Sequence, residues 1–141
     1  MADFTLLIKE RVLLEGTERG TDYNTTVSNI GYFDNRILNA PSGSEITLFS
    51  LSDINGAGTF VTSSLKYARI TNHSTTVPIN LRVSSSTSEM SYSIGTEGSF
   101  MLSTSDITGS NAINFTYEDI ISLKVEPSSS DAKVEYFIVT T

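Results

Sequence analysis

The feature that most constrains this chain is the two-residue period of its apolar side chains. Apolar and polar residues alternate from Ile121 to Glu126, and alternation resumes from Lys133. Successive side chains of a β-strand point to opposite faces, so each stretch predicts a strand with one buried face. Similar stretches recur roughly every ten residues. The pattern predicts an all-β chain folded as an antiparallel β-sandwich or a jelly-roll-like fold of about eight or nine short strands.

Three pairs of neighbouring strands are predicted to form antiparallel hairpins. They join residues 66–71 to 77–83, residues 90–94 to 100–102, and residues 121–126 to 133–138. The last hairpin has a preferred register, with Glu126 opposite Lys133. That register also sets Lys124 opposite Glu135, so both cross-strand charge pairs are complementary. A slip by one residue would set apolar side chains against polar ones.

Turn residues predict where the strands are connected, and the lack of a linker predicts a single domain. Glu15-Gly16 follows an apolar stretch and predicts a tight turn, because glycine adopts positive φ without strain. Residues 105–111 are predicted to be loop, and residues 117–121 fit a single helical turn. No break in composition divides the chain, which predicts one β-sandwich domain over residues 1–141.

The charge and the absence of cysteine exclude several function classes. The formal net charge is −7, and the nine Lys and Arg residues are scattered singly. Nucleic acids and anionic membranes are bound by clustered basic residues, so neither is an expected partner. The chain has no cysteine, which removes disulfides and thiolate metal sites. No secretory signal is recognised at the first residues, and the composition suits a reducing cytoplasm.

Residues able to carry chemistry are few, and none forms a recognisable catalytic pattern. His73, the single histidine, lies in a predicted turn and is expected to be solvated. Asp53-Ile54-Asn55-Gly56 begins like a calcium loop but lacks the glutamate that should follow. Carboxylates suited to glycoside hydrolysis occur in predicted turns or on outward faces, which favours a solubilising role: Glu10, Glu15, Glu18, Glu97, Glu118, Asp119 and Asp131. We therefore predict no enzyme activity, no catalytic residue, no cofactor, no metal and no small-molecule substrate.

Aromatic side chains offer two interpretations. They could form a platform on which sugar rings stack, or they could fill the core: Tyr23, Tyr32, Phe33, Phe49, Phe60, Tyr67, Tyr92 and Tyr117. Alternation places several of these rings on inward faces, and the chain has no tryptophan, the residue best suited to stacking. The pattern favours the core.

The order of several segments resembles a known class of proteins. The opening I-K-E…L-x-G-x-x-R-G is followed by Y-A-R-I-T-N-H-S at 67–74 and V-P-I-N-L-R-V at 77–83. Then come Y-S-I-G-T-E-G-S-F at 92–100 and V-E-Y at 134–136. This succession resembles small β-sandwich virion structural proteins of tailed bacteriophages.

The resemblance implies a capsid decoration, or cement, protein that binds the outer capsid lattice and stabilises the head. Its implied partners are the major capsid protein or other virion proteins, and its implied state is a homo-oligomer, with a trimer favoured. Its implied location is the capsid surface of the virion, after synthesis in the host cytoplasm. Two alternatives stay open: a tail or head-fibre component of the virion, and a carbohydrate-binding or adhesion module.

Overall fold

The computed structural model describes residues 2–51, 59–60, 64–103, 108–110 and 117–141. These residues are all-β and divide into two compact units, Met1–Ile30 and Gly31–Thr141. The predicted fold class is confirmed. One domain across residues 1–141 stays a prediction, and the two units are described separately.

The first unit is one antiparallel hairpin of two long strands, β1 (Asp3–Leu14) and β2 (Thr17–Ser28). The predicted turn at Glu15-Gly16 is confirmed. The two turn residues have φ angles of 50° and 78° and set Leu14 opposite Thr17. Two central residues with positive φ define the type I′ turn, whose twist matches that of the strands it joins.

The second unit contains eleven strands within the described residues, some of them only two or three residues long. Their bounds are β3 (Tyr32–Ala40), β4 (Ile46–Leu51), β5 (Thr59–Phe60), β6 (Leu65–Asn72), β7 (Ile79–Ser84), β8 (Glu89–Ile94), β9 (Ser99–Ser103), β10 (Thr108–Ser110), β11 (Tyr117–Asp119), β12 (Ser122–Pro127) and β13 (Ala132–Thr140).

Two sheets make up this unit's sandwich. A five-stranded sheet has the order β5-β4-β12-β7-β8, and a four-stranded sheet has the order β3-β13-β6-β9. Pairing is antiparallel except between β4 and the short β5. Among the eight longer strands, consecutive strands change sheet each time, apart from the β7–β8 hairpin. This strand order is jelly-roll-like, as in sandwiches built from two Greek keys.

The core lies between the two sheets and is built from their alternating inward residues. Both sheets contribute fully buried side chains, including Phe49, Leu81 and Leu123 from one and Ile70 and Ile138 from the other. They belong to one continuous hydrophobic cluster. Burial of apolar surface at about 25 cal/mol per Å² is the main term that stabilises such a core.

The three predicted hairpins are wrong, although the strands themselves are present. In each case the two strands belong to opposite sheets: β6 and β7, β8 and β9, and β12 and β13. Each connector therefore crosses from one sheet to the other. Two consecutive strands can bury their apolar faces as neighbours in one sheet, or they can face each other across the core from opposite sheets. Both arrangements satisfy the same local alternation, so pattern alone could not separate them.

The predicted charge pairs of the last hairpin are replaced by pairs with other residues. Lys124 Nζ lies 3.0 Å from Oε1 of Glu45, the residue before β4. In the opposite sheet, Glu135 Oε1 lies 2.5 Å from Arg69 Nη2. The charged residues were thus correctly predicted to lie on outward faces. Their complementary charges did not show that the two strands are neighbours.

Two further expectations are wrong. Residues 117–119 form β11 instead of a helical turn, and residues 108–110 of the predicted loop form β10, with which β11 pairs antiparallel. The backbone groups of this segment bond across to a neighbouring strand rather than within a helical turn, and tyrosine favours such pleated surfaces.

Candidate functional site

The outward face of the four-stranded sheet, called the outer face below, carries a row of aromatic rings. The rings of Phe33 and Phe137 stack with centroids 6.4 Å apart, and Phe137 meets Tyr67 edge-on at 6.0 Å. Exposure falls along the row from 70% at Phe33 to 4% at Tyr67. Burial raises the pKa of the Tyr67 hydroxyl above its ordinary value. The exposed end of the row lies on β3.

A polar cluster adjoins these rings on the same face. Glu135 accepts a hydrogen bond from Arg69 and lies 2.7 Å from His73 Nε2. The hydrogen bond with His73, and then that with Arg69, lowers the pKa of Glu135 below its ordinary value. On its other side, Arg69 donates to the hydroxyl of Thr71, which is 2.8 Å from that of Ser99. Arg69 therefore links a carboxylate on β13 to hydroxyls on β6 and β9.

This cluster does not have the arrangement of a hydrolytic triad. Such a triad requires a nucleophilic hydroxyl within hydrogen-bond reach of the histidine. Here the hydroxyls of Thr71 and Ser99 bond to each other and that of Thr71 also accepts from Arg69, while His73 faces the carboxylate of Glu135. The side chain of His73 is 42% exposed, as expected for a turn residue. Sequence reasoning missed its carboxylate partner, which lies 62 residues away.

The edge of the outer face is formed by β3, which has no second partner strand among the described residues. Its outward side chains Phe33 and Ile37 are 70% and 57% exposed. Its inward side carries Asp34, which accepts a hydrogen bond from the buried Tyr136 hydroxyl at 2.7 Å and pairs with Arg36 at 2.9 Å. Burial, and then the bond to Asp34, raises the pKa of Tyr136.

Hydrogen bonds join four connections that cross between the sheets: β3–β4, β6–β7, β8–β9 and β12–β13. The backbone N–H and the hydroxyl of Ser42, in the β3–β4 connection, donate to the Asp131 carboxylate and the Ser129 carbonyl in the β12–β13 connection. The N–H groups of Ser128 and Glu97 donate to the carbonyls of Pro78 and Ser74, respectively. Asn72 is completely buried among them. Its amide donates to the carbonyls of residues 77 and 95 at 2.8 and 3.0 Å, and its oxygen accepts from the backbone N–H of Ser74. One amide thus ties two of the connections together.

The hairpin of the first unit is exposed over most of its length. Every described side chain from residue 9 to residue 24 is exposed. Arg11 pairs with Glu18 at 2.9 Å and with Asp22 at 2.8 Å, both across the strand pair. Large apolar side chains are nevertheless in contact with solvent here, with Val12 at 58% and Leu13 at 76% exposure.

The residues considered from sequence fall into three groups. The carboxylates of Glu10, Glu15, Glu18, Glu97, Asp119 and Asp131 are exposed and are not gathered into one site. Among the aromatic residues, Phe49 and Tyr67 are buried, whereas Tyr23, Tyr32, Phe33 and Tyr92 are exposed. Residues 53–56 and the side chains of Phe60, Tyr117 and Glu118 lie outside the described part of the chain.

Two further limits hold for the described residues. No group of three or more metal-binding side chains comes together among them. In that same part of the chain, no helix has the length and hydrophobicity needed to cross a bilayer. Comparison with protein-family models, with curated proteins and with solved structures finds no match to this chain.

Proposed function

We propose that this chain is a virion structural protein, a capsid decoration protein that binds the outer capsid lattice and stabilises the head. The observation that carries the proposal is the outer face. It combines an exposed apolar edge, Phe33 and Ile37, with a hydrogen-bonded polar cluster around Glu135. Apolar and aromatic residues bordered by polar groups are typical of protein–protein interfaces. The resemblance noted in the sequence supplies the class of partner, the major capsid protein.

The geometry of β3 favours contact through side chains over addition of a further strand. Its inward side carries charged Asp34 and Arg36, and inward-pointing charges at a sheet edge discourage pairing with another strand. Phe33 and Ile37 point outward from the same strand and are free of that restriction. A capsid surface would cover them by docking onto the face.

The interface can be tested with purified capsids that lack the protein. We expect the wild-type chain to co-sediment with such capsids and to raise their melting temperature. The double variant Phe33→Ser/Ile37→Ser should bind at least tenfold more weakly, because burying one large apolar side chain contributes about 1.5–3 kcal/mol and about 1.4 kcal/mol corresponds to a factor of ten. Met101→Ser is the matched control, since Met101 is 41% exposed on the outer face at its opposite edge.

Copy number in the virion tests the role directly. Quantitative mass spectrometry against the major capsid protein should give a fixed lattice ratio, such as one to one. A dozen or so copies per particle would favour a tail or head-fibre component. Absence from the particle would overturn the virion proposal.

A carbohydrate-binding or adhesion module is the second candidate, and the exposed rings of Tyr32 and Phe33 favour it. Aromatic faces in solvent are suited to stacking against sugar rings. A glycan array is the test: binding that Phe33→Ser abolishes would support this function, and no binding on the array would remove it.

A further inference from the structure

The two faces of the β1–β2 hairpin differ in how their charges are satisfied. The register places Lys9, Arg11, Glu18 and Asp22 on one face, called the ion-paired face. There Arg11 is bonded to both carboxylates. Two leucines on this face, Leu7 and Leu13, are separated by basic residues. Such a face is suited to solvent.

The opposite face, called the apolar face, has a different pattern. Leu6 is buried and Ile8 is partly buried; beyond them Tyr23, Val12 and Leu14 are 54%, 58% and 56% exposed. The apolar stripe therefore continues past the point where its burial ends. A two-stranded hairpin by itself is marginally stable in water and is stabilised when its apolar face is covered.

The charges on the apolar face are complementary and form no ion pair among the residues that the structure describes. Glu10 lies opposite Thr21, and Arg19 lies opposite Val12, one cross-strand pair nearer the turn. Neither forms an ion pair with any residue that the structure describes. The face thus presents one acidic and one basic residue at its centre, flanked by apolar residues toward the turn and toward the base.

We propose that the apolar face packs against the same face of a second copy of this chain, with the two hairpins antiparallel about a two-fold axis. If the axis passes between the Glu10–Thr21 and Val12–Arg19 pairs, each Glu10 lies beside the Arg19 of the other copy. Ile8 then faces the Leu14 of that copy. Two-fold interfaces require such self-complementarity, in which residue i meets j and j meets i. The occupant follows from this charge pattern, and the inference does not depend on the capsid proposal.

Charge reversal tests the pairing in the full-length protein. Sedimentation equilibrium should give twice the chain mass of 15.3 kDa for the wild type. Glu10→Arg or Arg19→Glu alone should raise the dimer dissociation constant at least tenfold, because each sets like charges opposite each other. An equimolar mixture of the two variants should recover the dimer, since the mixed pair restores both attractions. Recovery in trans excludes an effect confined to one hairpin.

The controls and the contrary results are equally specific. Glu15→Arg makes the same charge change in the exposed turn and should leave the dissociation constant unchanged. Far-UV circular dichroism of each variant shows whether the sheet is intact. A wild-type mass of one chain or of three chains would overturn the two-fold pairing. So would a mixture that dimerises no better than either variant alone.

Discussion

Replacing the buried Asn72 with alanine tests whether the sheet-crossing connections depend on a single amide. Asn72 ends β6, is completely buried, and bonds to connections on both sides of it. Removing its side chain leaves the carbonyls of Val77 and Gly95 and the N–H of Ser74 without these partners. Water cannot readily replace the partner of the Val77 carbonyl, because that bond is fully buried, whereas the bonds to Gly95 and Ser74 are partly buried.

The expected cost follows from the bonds that are lost. The shortest three measure 2.8, 3.0 and 3.0 Å, and a fourth, to the carbonyl of Ile94, measures 3.4 Å. A net contribution of about 1 kcal/mol for each of the three good bonds gives about 3 kcal/mol. Leaving buried groups unsatisfied raises the cost toward 5 kcal/mol. That is a large share of a typical domain stability of about 5–15 kcal/mol.

Urea unfolding followed by circular dichroism measures this loss. With an m-value of about 2 kcal/mol per molar urea, Asn72→Ala should lower the unfolding midpoint by about 1.5 M or more. Asn80→Ala is the matched control, because Asn80 is exposed on β7. It should cost less than about 0.5 kcal/mol. Asn72→Asp keeps the oxygen and removes the donor, so it should also be strongly destabilising.

A small effect would refute the reasoning. If Asn72→Ala shifted the midpoint no more than Asn80→Ala does, the connections would be held by their own backbone bonds, and the amide would be dispensable.

Three further predictions concern the outer face, the hairpin and the β3 edge. Glu135→Gln should lower the free energy of unfolding by about 1–2 kcal/mol at neutral pH. The pKa of Glu135 is lowered in the folded state, so the stabilisation by its carboxylate is complete above the ordinary pKa of 4.5. This stabilisation is lost as the pH falls through the lowered pKa. The difference between wild type and variant in urea melts should therefore shrink in acid, and a difference independent of pH would contradict the assignment. Gly20→Ala should disrupt the hairpin and speed amide hydrogen exchange in residues 10–21, because a Cβ there would clash with the backbone oxygen of Glu10 on the facing strand. Gly95→Ala, with open space around its Cβ, should be close to neutral, and equal effects of the two substitutions would count against this account. Tyr136→Phe removes the hydroxyl bonded to Asp34 at 2.7 Å and should cost about 1–2 kcal/mol in the same urea assay, whereas an unchanged midpoint would show that the bond adds nothing.

The candidate site was only partly accessible from sequence. The exposure of Phe33 could not be read from its position, since Phe49 occupies an equally apolar stretch and is buried. The link between His73 and Glu135 joins residues far apart in the chain, so no local pattern indicates it. By contrast, the hairpin turn was readable, because its second central residue is Gly16, which adopts positive φ without strain. The positive φ of Glu15 is not indicated by its residue type, since type I′ turns favour Asn, Asp or Gly at that position.

What the sequence by itself determined is local: the strands, their buried faces and the tight first turn. Side-chain alternation states which face of a strand is apolar, and turn chemistry depends on two or three adjacent residues. Only the tertiary structure decided which strands are neighbours. The segment between β12 and β13 was predicted to close a hairpin, yet the two strands face each other across the core. Both arrangements bury the same alternating residues, and the choice between them depends on the remaining strands: β4 and β7 flank β12, while β3 and β6 flank β13.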